Sequence, residues 1–196
     1  LDMACLAATK AFKDYDRNLI DFVLLCTQSP DYHLPTSACI LQDKLGLSTH
    51  IGALDLNLGC SGFIYGLAMA KSLIIAGVAS NVLLCTAETY SKYLHPNDYA
   101  NRSIFGDGSA AVIIDKDDAA RIYEFDMGTD GRGMGNLIVA AGGARSRREA
   151  GCGVPIEDPG QYLFMNGPEI FNFTISCIPP LYSRTLEKNG LHINDI

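Results

Sequence analysis

The chain has 196 residues, 48% of them hydrophobic and 19% charged, with 15 basic against 22 acidic residues and a net charge of −7. That length holds one ordinary domain or the larger part of two small ones, and the acidic balance lacks the electrostatic footprint of a nucleic-acid binder. No stretch approaches the roughly 20 apolar residues of a membrane span, and no basic segment followed by an apolar one opens the chain as a signal peptide would.

Residues 2–15 have a helical pattern, with Ala4, Leu6, Ala7 and Ala11 as apolar positions. Residues 20–26 read as a buried strand, and 28–35 as a loop punctuated by Pro30 and Pro35. Thr36 or Ser37 then caps a helix that runs through Leu45 and closes at Gly46. Residues 53–58 alternate, with Leu54, Leu56 and Leu58 on one face and Asp55 and Asn57 on the other. Gly59-Cys60-Ser61-Gly62 breaks that strand. A helix over 63–76, apolar nearly all round and ended by Gly77, is expected inside a core.

Residues 81–86 form another buried strand, and 103–108 a turn into a strand over 110–114. Residues 115–118 read as a solvated connection between two halves, placed at 1–118 and 119–196. Strand patterns recur over 121–127 and 137–141. Residues 142–160, with Arg145, Arg147 and Arg148, are expected to be an exposed loop. A helix opens at Pro168 and runs to about Cys177; Pro179-Pro180 kinks it or starts a second helix, which ends at Gly190. Strands alternating with helical patterns make this an α/β layered fold.

The seven cysteines are odd in number, and no two stand in a C-x-x-C spacing. A disulfide framework or a zinc site is a poor fit, so no metal is expected. Most of them sit in or beside apolar runs, where a free cysteine behaves as a small core hydrophobe. A reducing cytoplasm is the simplest compartment. Cys60 differs from the rest, lying between a buried strand and the first turn of a buried helix, between Gly59 and Gly62. Glycines admit a sharp turn there, and the N-terminal end of the helix favours a negatively charged thiolate. Such a strand–nucleophile–helix elbow exposes a reactive side chain at the top of a sheet.

Asp55-Leu56-Asn57-Leu58-Gly59-Cys60-Ser61-Gly62-Phe63-Ile64-Tyr65-Gly66-Leu67 resembles the active-site segment of β-ketoacyl-acyl-carrier-protein synthase III, a thiolase-fold condensing enzyme. The segments 29–39, 104–111, 165–171 and 186–191 resemble the same family in the same order, Ile104-Phe105-Gly106-Asp107-Gly108 most distinctively. The resemblance implies a thiolase-like layered αβαβα fold with mixed sheets, incomplete in this chain. It also implies a reaction in which Cys60 takes an acyl group from acyl-coenzyme A and passes it to a carbanion made by decarboxylating malonyl-acyl-carrier protein. Coenzyme A thioester is then a substrate, no bound cofactor is implied, and a cytoplasmic homodimer acting on acyl-carrier protein is expected.

The family's carbanion step uses a His and an Asn, the His within a His-Gln-Ala-Asn motif that is absent from this sequence. His33, His50, His95 and His192 do not match it and read as surface residues; a fragment of a longer enzyme is the simplest expectation. Phe105 and Phe171 resemble residues lining the pantetheine tunnel, whereas Met165 reads as structural. Leu34 stands where the family often places a Phe that crosses a dimer into the partner's acyl pocket. Gln28, Glu88 and Tyr90 fall near pocket positions but are less common choices, which puts the usual short primer in doubt. Tyr99 stands where the family often has an Arg against adenine, with Arg102 three residues on. A specialised-pathway ketosynthase and a non-catalytic dimerising or binding fragment are the alternatives. Gly106-Asp107-Gly108-Ser109-Ala110-Ala111 fits a dinucleotide-binding pattern, but a strand rather than a helix is expected after it.

Overall fold

Four apolar runs of the first hundred or so residues alternate side chains to two faces, and each face finds its own helices. A computed structural model describes residues 1–116, 122–144 and 159–196. They divide into two units, one of Leu1–Tyr90 with Gly106–Ile122 and one of Ser91–Phe105 with Tyr123–Ile196.

In the first unit the strands β1 (Phe22–Cys26), β2 (Gly52–Leu56), β3 (Asn81–Thr89) and β4 (Asp107–Asp115) form one sheet in the order β2-β1-β3-β4. β1 is parallel to both β2 and β3, and β4 is antiparallel to β3. Val23, Leu25, Leu83 and Cys85 face helices α1 (Asp2–Ala11) and α2 (Ser37–Lys44), which contribute Ala4, Ala8, Ala38 and Leu41. Leu24, Val82 and Leu84 face the other way, against Ala70, Leu67 and Leu73 of α3 (Gly62–Ile75). This helix–sheet–helix layering around a mixed sheet agrees with the layered α/β arrangement expected from the sequence.

Several sequence expectations need correction. Helix α1 stops at Ala11, and 12–14 tighten into a 3-10 turn. Neither Thr36 nor Ser37 caps α2 with its side chain. Instead Asp55 reaches across from β2, and its two carboxylate oxygens accept from Ser37 N and Ala38 N, each at 2.7 Å. An acidic group there satisfies orphan donors and meets the positive end of the helix. Replacing it with alanine (Asp55→Ala) is expected to cost about 1 kcal/mol, read as a lowered midpoint in urea unfolding. An unchanged midpoint would refute the cap.

Helix α3 is not buried all round. Gly62, Gly66 and Ala70 are its buried positions, whereas Phe63, Ile64, Met69 and Ile75 are exposed. The stripe of small residues permits the close approach: a Cβ on Gly66 would stand 2.6 Å from Leu84 Cδ1. Phe63, Ile64, Met69 and Ile75 are left exposed, while Leu67 and Leu73 pack against the sheet. Leu54 on β2 is also exposed, because β2 is an edge strand.

The second unit holds α4 (Tyr99–Ile104), which the sequence reading missed, strands β5 (Leu137–Val139) and β6 (Leu163–Met165), and α5 (Gly167–Asn189). Asp98 caps α4 by accepting from Asn101 N at 3.0 Å, and its other oxygen takes the buried Asn101 amide. β5 and β6 pair antiparallel. Helix α5 is a single element of 23 residues rather than two, with Pro179 and Pro180 inside it and Gly190 closing it at φ 64. The prolines remove two donors but leave the flanking turns helical, and Ser183 Oγ donates to Pro179 O at 3.1 Å.

The strand expected over 121–127 is absent in its described part, 122–127. Its backbone groups are taken by side chains from the last turns of α5 instead. Asn189 Oδ1 accepts from Glu124 N, Asn189 Nδ2 donates to Glu124 O, and Lys188 Nζ donates to Phe125 O. These three backbone groups therefore need no strand partner. Most of the expected arginine-rich loop over 142–160, including Arg145, Arg147 and Arg148, lies outside the described residues.

Candidate active site

The three parallel strands end level with one another. Cys26 of β1 lies opposite Leu56 of β2 and Thr86 of β3. After β1 the chain leaves for α2 on one face, and after β2 for α3 on the other. Adjacent strands whose connections part in this way open a crevice at their carboxyl ends, where open α/β sheets take ligands.

Cys60 stands in that place. Gly62 N donates to Gly59 O at 2.8 Å, closing a tight turn with Cys60 and Ser61 at its two corners. Ser61 is the N-cap of α3 and its carbonyl accepts from Tyr65 N at 3.1 Å. The Cys60 side chain is exposed. The turn rests on β1: Cys26 Sγ donates to Leu58 O at 3.0 Å, and a Cβ on Gly62 would overlap Cys26 Sγ. The glycine at 62 is therefore a packing requirement as well as a turn residue.

Beside the turn lies a polar cluster. Glu88 accepts from Gln28 N at 2.7 Å and from Ser29 Oγ at 2.7 Å, and Ser29 Oγ in turn accepts from Thr89 N at 2.8 Å. The Tyr90 hydroxyl donates to Gln28 Oε1. Burial pushes the Glu88 carboxyl above the ordinary carboxylate range, against the lowering effect of the Gln28 and Ser29 hydrogen bonds.

The residues singled out from the sequence fall into groups. Gln28, Glu88 and Tyr90 come together with the Gly59 side of the elbow. Leu34 stands on the loop before α2 and is 82% exposed. Phe105, in the second unit, lines a cavity of about 360 Å³ with Ser91, Leu94, Pro96 and Arg102. The Arg102 guanidinium donates to Pro96 O, and Tyr99 is exposed. Phe171 sits in the first turns of α5 and is exposed, while Met165 on β6 is partly buried. Ser29 and Cys26 were missed; the available signal was their position at the end of an apolar run, where parallel strands align their termini. Strand β4 follows Gly106, so the dinucleotide pattern lacks the helix it needs.

His33, His50 and His192 are exposed, but His95 is half-buried, with its ring edge-on to Tyr162 at 4.8 Å and its Nδ1 accepting from Asn97 N. The cysteines also depart from expectation. Cys26 and Cys85 are buried, Cys5 and Cys177 intermediate, and Cys39 exposed on the face of α2 turned from Ala38 and Leu41. Burial pushes the Cys85 thiol up to about 12 and raises that of Cys26. Among the cysteines of the described residues, iodoacetamide near pH 8 is therefore expected to label Cys60 and Cys39 first and to leave Cys26 and Cys85 intact until the chain unfolds. Early labelling of Cys85, read by peptide mass spectrometry, would contradict the packing.

The family described as 3-oxoacyl-[acyl-carrier-protein] synthase III matches residues 54–131. A beta-ketoacyl-[acyl-carrier-protein] synthase III of Clostridioides difficile is 36% identical over 197 aligned residues, spanning 100% of this chain and 59% of that protein. A crystal structure of a 3-oxoacyl-(acyl-carrier-protein) synthase III superposes with a TM-score of 0.91 at 46% identity, covering 100% of this chain and 61% of the other. The priming β-ketosynthase of the R1128 polyketide pathway superposes at 0.84 with 25% identity, over 98% of this chain and 56% of its own. The chain thus spans about three fifths of the length of the first two relatives.

Proposed function

We propose that this chain, which belongs to the 3-oxoacyl-[acyl-carrier-protein] synthase III family, carries the acyl-accepting step of a condensing enzyme on Cys60. The Cys60 thiolate attacks the carbonyl of an acyl-coenzyme A thioester, the carbon–sulfur bond to coenzyme A breaks, and the departing thiolate takes up a proton. The acyl-cysteine is then attacked by the carbanion left when a malonyl-acyl-carrier-protein thioester loses carbon dioxide. A carbon–carbon bond forms, Cys60 leaves as thiolate, and a β-ketoacyl-acyl-carrier protein is released. Splitting the transfer in this way replaces one difficult step by two easier ones.

The observation that carries the reading is the turn at Gly59–Gly62, which holds an exposed cysteine at the carboxyl ends of three parallel strands. The carbanion step calls for further groups, and the family's His-Gln-Ala-Asn motif does not occur in these residues. Coenzyme A thioester enters this reading as a substrate, and the acyl transfer to Cys60 calls on no resident cofactor or metal. A homodimer fits the unpaired edge of β2 and the exposed Leu54. A cytoplasmic, reducing setting fits the six free cysteines of the described residues. No helix of the described residues is long and apolar enough to cross a membrane. The fatty-acid reading stands ahead of a polyketide one because identity is 46% to the synthase III structure and 25% to the polyketide ketosynthase.

The test is acyl trapping. After incubation with a series of straight and branched acyl-coenzyme A esters, peptide mass spectrometry is expected to place the acyl mass on Cys60. An acyl mass on another cysteine, or on none across the series, would overturn the assignment.

A further inference from the structure

We propose that Glu88 is a positioning residue for Cys60, acting through Gln28 on the Gly59–Gly62 turn; this rests on the reading of Cys60 as the nucleophile. Three strand ends meet at this point: Thr27 N donates to Leu56 O at 3.0 Å between the exit of β1 and the end of β2, and side chains join that exit to the end of β3. Glu88 belongs to β3, and both of its carboxylate oxygens are spent on the segment that follows β1, one on Gln28 N and one on Ser29 Oγ, each at 2.7 Å. Ser29 Oγ is locked from the other side by Thr89 N at 2.8 Å. The turn of 27–29 is thus bound to the end of β3 by three hydrogen bonds that a sheet ladder would not supply.

Gln28 carries the connection onward. Tyr90, following β3, holds its Oε1 by a hydroxyl hydrogen bond. That same oxygen lies where it would stand 2.6 Å from a Cβ on Gly59, the residue immediately before Cys60. The Tyr90 hydroxyl oxygen would lie 3.7 Å from that Cβ. The Gln28 carboxamide therefore rests directly against the backbone that presents the thiol, with its lateral position set by Tyr90 and its main chain by Glu88. A half-buried carboxylate at the end of an inner strand is a costly group to place unless its hydrogen bonds are used. Glu88 and Gln28 lie outside the two apolar clusters that hold the sheet to its helices. Removing their contacts is expected to shift the elbow more than it weakens the core.

The experiment measures two rates on Cys60 by peptide mass spectrometry, acylation by acetyl-coenzyme A and alkylation by iodoacetamide, with Cys39 as the exposed internal reference. Glu88→Ala is expected to slow Cys60 acylation about tenfold, within the roughly hundredfold that a 1 Å misplacement costs. Glu88→Gln, which keeps an acceptor for Gln28 N, is expected to recover most of that loss. In a Gln28→Ala background, adding Glu88→Ala is expected to change the rate less than twofold, because the link to the turn is already cut. Gly59→Ala is expected to slow acylation more than Gln28→Ala does, and Gly59→Ala with Gln28→Ala to return it to the Gln28→Ala rate, because the clash is then gone but the support is not.

Additive effects of Glu88→Ala and Gln28→Ala, or a Gly59→Ala defect that Gln28→Ala does not relieve, would overturn the proposal. So would an unchanged rate in Glu88→Ala. If the unsubstituted chain accepts no acyl group at all, the nucleophile reading fails, and the same variants are compared by the Cys60-to-Cys39 alkylation ratio. There a Gln28-dependent effect of Glu88 supports the positioning role, and an unchanged ratio refutes it. The Gly59 and Gln28 pair keeps the test decisive should Glu88→Ala not fold.

Discussion

Cys60→Ala is expected to abolish covalent acyl capture while leaving the thermal unfolding of the chain within about 0.5 kcal/mol of the parent, the usual range for a surface change. The two halves of that expectation have separate causes. Chemically, alanine removes the only sulfur the turn presents at the strand ends, and a hydroxyl-free, thiol-free side chain has no electron pair to form the thioester. Structurally, the Cys60 side chain is exposed and belongs to neither apolar cluster. The turn is closed by the Gly62 N to Gly59 O bond, which does not involve the cysteine side chain. Intact mass after incubation with acyl-coenzyme A, beside a melting curve, reads both. Persistent acyl capture by Cys60→Ala would remove the central residue of the proposed function. A large loss of stability would mean that the cysteine is packed rather than presented.

The second large effect is expected at Gly62→Ala, a substitution that would be harmless or favourable in most helices. Here a Cβ would overlap Cys26 Sγ and stand 3.2 Å from Leu58 Cβ. Overpacking of this kind costs about 1–3 kcal/mol, and a chain of this size loses roughly 2–4 °C of melting temperature per kcal/mol. The same displacement breaks into the Cys26 Sγ to Leu58 O bond and tilts the turn that carries Cys60. Acyl capture is therefore expected to fall with stability. The compensating change is specific: the Cys26 Cβ lies 3.6 Å from the added carbon, an ordinary contact, so Cys26→Ala with Gly62→Ala is expected to regain most of the lost stability. If the double variant is no better than Gly62→Ala alone, the clash is not with the thiol.

How far the site was legible in the sequence differs from residue to residue. Cys60 was legible because the local signal is complete: an apolar strand, a glycine-flanked break and an apolar helix occupy consecutive positions. Its supports were not. Glu88 and Ser29 are separated by 59 positions, and their meeting depends on β1 and β3 being neighbours in the sheet. Asp55 was read as the polar face of a strand, whereas it caps a helix 17 and 18 positions earlier in the chain. The missed α4 illustrates the opposite limit: with six residues it is too short for periodicity to register, and its cap at Asp98 was the sole local mark.

Burial was the least legible property. Cys39 and Cys85 both sit among apolar or small neighbours, yet one is exposed and the other fully buried. The difference is which face of α2 or β3 each occupies, and against what that face packs. Helix α3 is apolar on every side, so its composition did not say which stripe meets the sheet; the small residues at Gly62, Gly66 and Ala70 decided it through closeness of approach. The pair Pro179-Pro180 left open either a kink or a second helix, and only the tertiary structure shows one helix continuing through both.

By itself the sequence determined the alternation of strands and helices and the glycine-flanked break that carries Cys60, because each of these is written in contiguous residues through backbone periodicity and turn chemistry. The tertiary structure alone decided that β1 lies between β2 and β3, that their ends coincide, and that Glu88, Gln28 and Tyr90 converge on the turn beside Cys60. Strand order comes from burying two faces of one sheet at once, a condition on the whole unit that no local stretch of residues expresses.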